Sequence, residues 1–189
     1  MAGKIQLSKP LVTSAEENII NKVIKSHFWA SGSGVGYVKK FENNLNKFTG
    51  SNTCIGVNSG TAALNLALSL FDLKNKEVLI PSLTFVSTAH AVILNGAKPI
   101  FVDVNPETLC IDEKQIQNSI TKNTKAIIPV HFAGFPCNLT AIRSICKKNN
   151  LCLIEDAAHA IGSTFNNKKI GAHGDAVCFS FHPVKNLAM

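Results

Sequence analysis

No apolar stretch in this sequence approaches the roughly 20 consecutive residues that a membrane-spanning helix requires. Residues 1–8 lack the apolar core of a signal peptide, so secretion is not expected. None of the six cysteines forms a CxxC pair, and several, such as Cys152, lie inside apolar runs. This usage is typical of small buried hydrophobic residues rather than of a disulfide framework. Together these absences predict a cytoplasmic protein without a membrane partner.

Charged residues are also sparse, at 16% of the chain. The net charge is +7, but the basic residues are scattered and the longest runs are pairs such as Lys39 and Lys40. A nucleic-acid-binding arm is therefore not predicted. The positive surplus is either an ordinary solvated surface or a means of attracting a phosphorylated ligand, and the sequence leaves both open.

What the chain does have is apolar content, with 46% hydrophobic residues among 189, enough for one large α/β domain. Short apolar runs alternate with segments of helical character. Continuous apolar strands separated by helices indicate a mostly parallel sheet that helices cover on both faces. The predicted strands are residues 54–57, 77–80, 99–102, 126–130, 151–154 and 176–179, and the predicted helices among them are 62–70, 86–94, 113–120 and 139–149.

Two further helices are predicted before this alternation begins. Ser14 and Glu17 have the spacing of a capping box at the start of the first helix, and a regular apolar stripe predicts the second. The glycine-rich segment 31–36 between them is a weak nucleotide signal, because no strand enters it and its spacing is not GxGxxG. We therefore divide the chain into an N-terminal helical extension and loop, residues 1–36, and an α/β domain, residues 37–189.

Ligands of parallel sheets bind beyond the carboxyl ends of the strands, so the residues that follow each strand are the candidates for a site. Residues 58–63, NSGTAA, lead from the first predicted strand into a helix. Gly60 would let a ligand approach closely, and the free amides of a helix N-terminus favour an anion. Thr61 and Ser180 could each add a hydroxyl donor to the same phosphate. An ordinary turn with a capping serine is the alternative.

Three other segments after strands carry candidate residues. Phe85 could stack on a flat ring, although such a residue is more often part of a core. Asp156 could pair with a protonated ring nitrogen, helped by His159, or it could simply cap the next turn. Lys185 ends an apolar, aromatic stretch, where desolvation favours the neutral amine that a Schiff base requires; a surface lysine is the alternative. The histidines follow no recognised zinc-ligand spacing, so no metal site is predicted.

Taken in order, these segments resemble the sugar aminotransferases of the DegT/DnrJ/EryC1/StrS family, pyridoxal-phosphate-dependent enzymes of fold type I. The resemblance runs from Ile5 to the C-terminus. Each segment alone would be a weak signal, but five in register are specific. They are NSGTAAL at residues 58–64, PSLTFVST at 81–88, IPVH at 128–131, IEDAAHA at 154–160 and FSFHPVKN at 179–186.

The resemblance implies an enzyme with pyridoxal 5′-phosphate as its cofactor, bound at a mostly parallel, seven-stranded-type sheet flanked by helices. Lys185 would be the catalytic residue that holds the cofactor covalently. Asp156 would keep the ring nitrogen protonated, Phe85 would stack on the ring, and His159 would contact the side of the phenolic oxygen.

The resemblance also implies the phosphate site and the reaction. The amides of Gly60 and Thr61 would bind the cofactor phosphate together with Ser180. The amino donor in this family is typically glutamate, and the acceptor is a keto group on a nucleotide-linked sugar. A related branch that removes a sugar hydroxyl has histidine at the position of Lys185, so lysine favours transamination.

Members of this family continue beyond the lysine into a smaller second domain and form homodimers. Since this sequence ends soon after Lys185, we expect it to be the large-domain portion, with the small domain absent and a homodimer as the full-length form. The alternative is a truncated, catalytically inactive remnant that at best binds the cofactor or a partner.

Overall fold

The computed structural model describes residues 9–29 and 36–188. Residues 1–8 and 30–35, which include the start of the resemblance and most of the glycine-rich segment, lie outside the described residues. No helix in the described ranges is long and apolar enough to cross a membrane. The helices are α1 (Ser14–Lys25), α2 (Tyr37–Thr49), α3 (Gly60–Ser69), α4 (Val86–Leu94), α5 (Glu113–Ser119) and α6 (Leu139–Asn149); the strands are β1 (Glu77–Pro81), β2 (Lys98–Val102), β3 (Thr124–Ile127), β4 (Cys152–Asp156), β5 (Thr164–Phe165), β6 (Lys168–Lys169) and β7 (Ala176–Cys178).

The centre of the fold is a parallel sheet of five strands in the order β2-β1-β3-β4-β7. Side chains of β1 alternate between its two faces, so Val78 and Ile80 pack with α3 and α4, whereas Leu79 packs with α5 and α6. All three are fully buried. The prediction of a mostly parallel sheet with helices on both faces is confirmed.

The strand predicted at residues 54–57 is wrong. These residues pair with no strand in the described part of the chain, and Ile55 and Val57 are 64% and 41% exposed. The amide of Gly56 donates instead to Oε1 of Glu42 in α2, at 2.9 Å. An apolar run becomes a strand only where a partner accepts its hydrogen bonds. In the described part of the chain the main sheet has five strands.

The cap of α1 also differs from the prediction, by one residue. Thr13 is the extended N-cap residue and accepts a hydrogen bond from the amide of Ala15, while Glu16 returns to accept from the amide of Thr13 at 2.7 Å. Ser14, the predicted cap, is already helical. Thr13 and Glu16 have the same spacing as Ser14 and Glu17, and the extended backbone at Thr13 places the cap one residue earlier.

Sequence analysis missed the short hairpin formed by β5 and β6. Asn166 and Asn167 connect the two strands, both with positive φ (48° and 61°). Consecutive positive φ values are the conformation of a type I′ turn, for which asparagine is favoured. Its strands of two residues each are too short to show alternation, so the Asn-Asn pair was the only local signal.

Candidate active site

The predicted site residues lie at one edge of the sheet. Asp156 ends β4, Phe85 follows β1, and Ser180 and Lys185 follow β7. Because the strands run parallel, their carboxyl ends meet at this edge. Gly60 joins them from the first residue of α3.

Gly60 and Ser180 are in close contact. A Cβ atom added to Gly60 would lie 3.0 Å from Cβ of Ser180 and 3.4 Å from the carbonyl oxygen of Phe179. Any other residue at position 60 would therefore push the start of α3 away from the end of β7. Gly60 thus permits the close approach of Ser180. The close approach of a ligand, which the sequence predicts, stays a prediction.

The start of α3 offers free hydrogen-bond donors. Ser59 accepts from the amide of Ala62 through Oγ (3.1 Å) and from the amide of Ala63 through its carbonyl oxygen (3.0 Å). The amides of Gly60 and Thr61 belong to the first turn, which has no acceptor inside the helix. Thr61 is exposed and adds a hydroxyl. Uncapped amides and a hydroxyl beside Ser180 fit an anionic group such as a phosphate.

Asp156 is a buried carboxylate, 5% exposed. Its Oδ2 accepts from Oγ1 of Thr88 at 2.9 Å, and its Oδ1 accepts from the amide of Ala158 at 3.1 Å. Thr84 hydrogen-bonds to Thr88 at 2.7 Å. Among the described residues, Asp156 has no basic partner within 4.0 Å. A fixed, buried negative charge without a cation fits a protonated ring nitrogen.

His159 connects Asp156 to Lys185 electrostatically. Partial burial lowers the pKa of His159, the positive charge of Lys185 lowers it further, and Asp156 opposes both. Nδ1 of His159 accepts from the amide of Ala133 at 3.3 Å, so a neutral ring carries its proton on Nε2. Asp156 and Lys185 therefore act on one imidazole, whose neutral form is favoured.

The segment that carries Lys185 is held by local and distant contacts. The amide of Lys185 donates to the carbonyl oxygen of His182 at 2.8 Å. The side chain of Asn186 donates to the carbonyl oxygen of Ile161, two residues after His159, at 2.9 Å. Lys185 itself is half-buried. These contacts fix the lysine segment beside the turn that contains His159.

Phe85 is at the N-cap of α4 and is 73% exposed. A core role, the alternative considered from sequence, does not apply. Its position is one turn before Thr88, the hydroxyl donor to Asp156. An exposed aromatic side chain at the edge of a site is available to a flat ligand.

Comparison with known proteins agrees with this arrangement. Residues 10–189 match the DegT/DnrJ/EryC1/StrS aminotransferase family. The spore coat polysaccharide biosynthesis protein SpsC of Bacillus subtilis is 39% identical over 182 residues, which cover 96% of this chain and 46% of that protein. The putative sugar aminotransferase Spr1654 from Streptococcus pneumoniae, solved in PLP and PMP forms, has a TM-score of 0.92 at 30% identity, covering 97% of this chain and 50% of that chain. DesI, solved in the presence of its TDP-sugar product, has a TM-score of 0.86 at 30% identity, covering 94% and 45%.

The chain belongs to the DegT/DnrJ/EryC1/StrS aminotransferase family. The family predicted from the five motifs is thus confirmed; it is a family of aminotransferases, and the similar protein Spr1654 was solved in a PLP form. The chain spans about half the length of the curated relatives that it matches. The individual roles of the site residues stay predictions.

Sequence analysis of this family member missed a buried hydrogen-bonded pair directly beside Asp156. His131 and Glu155 are both fully buried, and Nε2 of His131 lies 2.8 Å from Oε2 of Glu155. The amide of Cys137 donates to Nδ1 of His131 at 3.1 Å. This contact leaves Nε2–H of the histidine as the donor to the carboxylate. The signal available in the sequence was the unexplained second acid in the motif IEDAAHA.

Alternation along β4 separates the two neighbouring carboxylates. Consecutive side chains of a strand point to opposite faces, and Glu155 and Asp156 have no partner in common. Glu155 binds His131, in the segment that follows β3, and within the described ranges its Oε1 has no hydrogen-bond partner. A Cβ on Gly174 would lie 2.9 Å from that oxygen. The Glu155 side chain is therefore part of the buried interior, whereas the Asp156 side chain faces the site.

We predict that His131→Leu lowers the free energy of unfolding by about 3–5 kcal/mol, because it leaves a buried carboxylate without its donor. Adding Glu155→Met should recover part of this loss, since the double variant buries no charge. Urea unfolding at neutral pH measures both. Lys39→Ala, which removes the exposed pair of Lys39 with Glu42 (3.7 Å), is the control and should cost less than about 1 kcal/mol. Strictly additive losses in the double variant would contradict the pairing.

We also predict that Lys185→Ala raises the pKa of His159 in the protein without cofactor. The positive charge of Lys185 disfavours the imidazolium, so its removal favours protonation, while burial still keeps the pKa below the ordinary value. A pH titration of the imidazole signals by NMR measures the change. Lys168→Ala, at an exposed position of the hairpin, should leave His159 unaffected. An unchanged or lower pKa in Lys185→Ala would show that the two side chains do not interact.

Proposed function

We propose that this chain forms the cofactor-binding part of an aminotransferase that transfers an amino group, from glutamate, to a keto group of a nucleotide-linked sugar. The observation that carries the proposal is the convergence on one sheet edge of an anion cradle, a buried carboxylate and a half-buried lysine. The cradle is formed by Gly60, Thr61 and Ser180, and the other two groups are Asp156 and Lys185.

The residues of the cradle would hold the phosphate of pyridoxal phosphate through two amides and two hydroxyl groups. Asp156 would accept a hydrogen bond from the ring nitrogen and keep it protonated, since no cation among the described residues pairs with its charge. When bound, the cofactor supplies an electron sink for the carbanion formed at the substrate Cα. Thr88 would orient the carboxylate, because it donates to Oδ2.

Lys185 would act twice in this proposal. Its amine would bind the cofactor covalently before the amino donor arrives, and the freed Nζ would then take the proton from the substrate Cα and deliver it to the neighbouring C4′ carbon. His159, with its neutral form favoured, would donate from Nε2 toward the phenolic oxygen. Phe85 would cover the ring face.

The named relatives and the net charge of this chain support the proposed substrate class. SpsC serves polysaccharide biosynthesis, and DesI was solved with a TDP-sugar product. A net charge of +7 favours an acidic substrate such as a nucleotide-linked sugar over a cationic one. We further propose that the full-length protein is a homodimer with a second, smaller domain, since this chain covers 46% of its curated relatives.

The test of the proposal is covalent trapping. Protein mixed with pyridoxal phosphate should develop visible imine absorbance, and borohydride reduction should leave the cofactor on the tryptic peptide that contains Lys185. Lys185→Ala should lose the adduct, and Lys168→Ala should retain it. Gly60→Ala should keep the attachment site but weaken cofactor binding, because the added methyl group meets Ser180.

Two outcomes would overturn the assignment. One is the same adduct, at the same yield, in Lys185→Ala. The other is the absence of any adduct in wild-type protein of full length, which would favour the catalytically inactive alternative.

A further inference from the structure

Two of the six free cysteines, neither of them among the predicted site residues, meet in the core. Cys110 follows β2, and Cys137 precedes α6, yet both belong to the same buried cluster. Sγ of Cys110 donates to the carbonyl oxygen of Phe135 at 3.6 Å, two residues before Cys137. Sγ of Cys137 donates to the carbonyl oxygen of Val130 at 3.2 Å. Each thiol also shifts the pKa of the other, so the two side chains are neighbours.

We propose that Cys110 and Cys137 form an oxidation site, in which a hydroperoxide oxidises Cys110 and Cys137 then closes a disulfide. The bridge would join the loop after β2 to the segment between β3 and α6. This inference does not depend on the proposed transaminase function.

Access favours Cys110 as the residue that meets the oxidant. A groove of about 510 Å³ opens beside it. Cys110, 4% exposed, contributes to the wall of this groove, whereas Cys137, 1% exposed, does not. Other wall residues are Asn105, Thr108, Phe135, Pro136, Asn138 and Phe165. A peroxide is small enough to reach a thiol at the edge of such a groove.

The electrostatics give the two sulfurs different roles. The neighbouring Cys137 side chain, the largest cause, lowers the pKa of Cys110 to about 7, although burial opposes it. The same contact, together with burial, raises the pKa of Cys137. By contrast, burial raises the pKa of Cys146 and of Cys178 to about 12. Since the thiolate is the nucleophile, Cys110 should be the first to react near neutral pH.

The chemistry balances with hydrogen peroxide as the oxidant. The Cys110 thiolate attacks one oxygen, so that an S–O bond forms, the O–O bond breaks, and hydroxide leaves to be protonated to water. The sulfur of Cys137 then attacks the resulting sulfenic acid; an S–S bond forms, the S–O bond breaks, and the Cys137 proton leaves with the hydroxide as water. Two thiols lose two electrons in total, and one peroxide becomes two waters.

Tryptic mapping tests the proposal directly, because the six cysteines fall on six different tryptic peptides. Full-length protein is treated with hydrogen peroxide, its remaining thiols are alkylated, and it is digested without reductant. The expected product links the peptide of residues 77–114 to that of residues 126–143, with a mass lower by two hydrogens. The other four cysteines should be recovered alkylated.

Variants identify the attacking thiol. Cys110→Ser should slow the peroxide-dependent loss of thiols by about tenfold or more. Cys137→Ser should leave sulfenic acid on Cys110, which dimedone labels, and Cys146→Ser is the control that should behave as wild type. First loss at Cys54 or Cys152, or oxidation without the link between 77–114 and 126–143, would overturn the proposal. The wild-type map decides even if a variant fails to fold.

Discussion

The arrangement of the site depends on one buried negative charge, the carboxylate of Asp156 at the end of β4. A carboxylate that is 5% exposed is costly unless hydrogen bonds satisfy it. Thr88 and the amide of Ala158 supply two such bonds, and the absence of a basic partner among the described residues leaves the charge available to a ligand. Through Thr88 the same interaction fixes α4, and with it Phe85. Removing the carboxylate would therefore disturb both the charge and the position of α4.

These groups meet at one edge because the strands of the sheet run parallel. A parallel sheet, and with it this edge, could be predicted from the sequence. Continuous apolar runs required strands buried on both faces, and parallel strands bring their carboxyl ends together. The sequence alone therefore predicts that Asp156, Ser180 and Lys185 lie at one edge of the sheet, and they do. Gly60 was singled out for close approach to a ligand, and the structure shows that it also packs against Ser180. The roles of these residues toward a cofactor came from the family resemblance, not from spacing.

The side-chain contacts around the site that sequence analysis missed join residues that are distant along the chain. Thr88 is 68 positions from Asp156, and His131 is 24 positions from Glu155. Nothing local distinguishes Thr88 from the other hydroxyl residues of its segment, so only the packing of α4 against β4 reveals it. The unpaired segment 54–57 shows the converse error, because an apolar run specifies burial without specifying a partner strand.

In the proposed site Asp156, and not the neighbouring Glu155, keeps the ring nitrogen of the cofactor protonated. The ¹⁵N chemical shift of pyridoxal phosphate labelled at that nitrogen and bound to the protein reports the protonation directly. We predict a protonated nitrogen in wild type and an unprotonated one in Asp156→Asn. Glu155→Gln should keep the nitrogen protonated, because its side chain lies on the opposite face of β4. The same ¹⁵N chemical shift in wild type and in Asp156→Asn would contradict this role of Asp156.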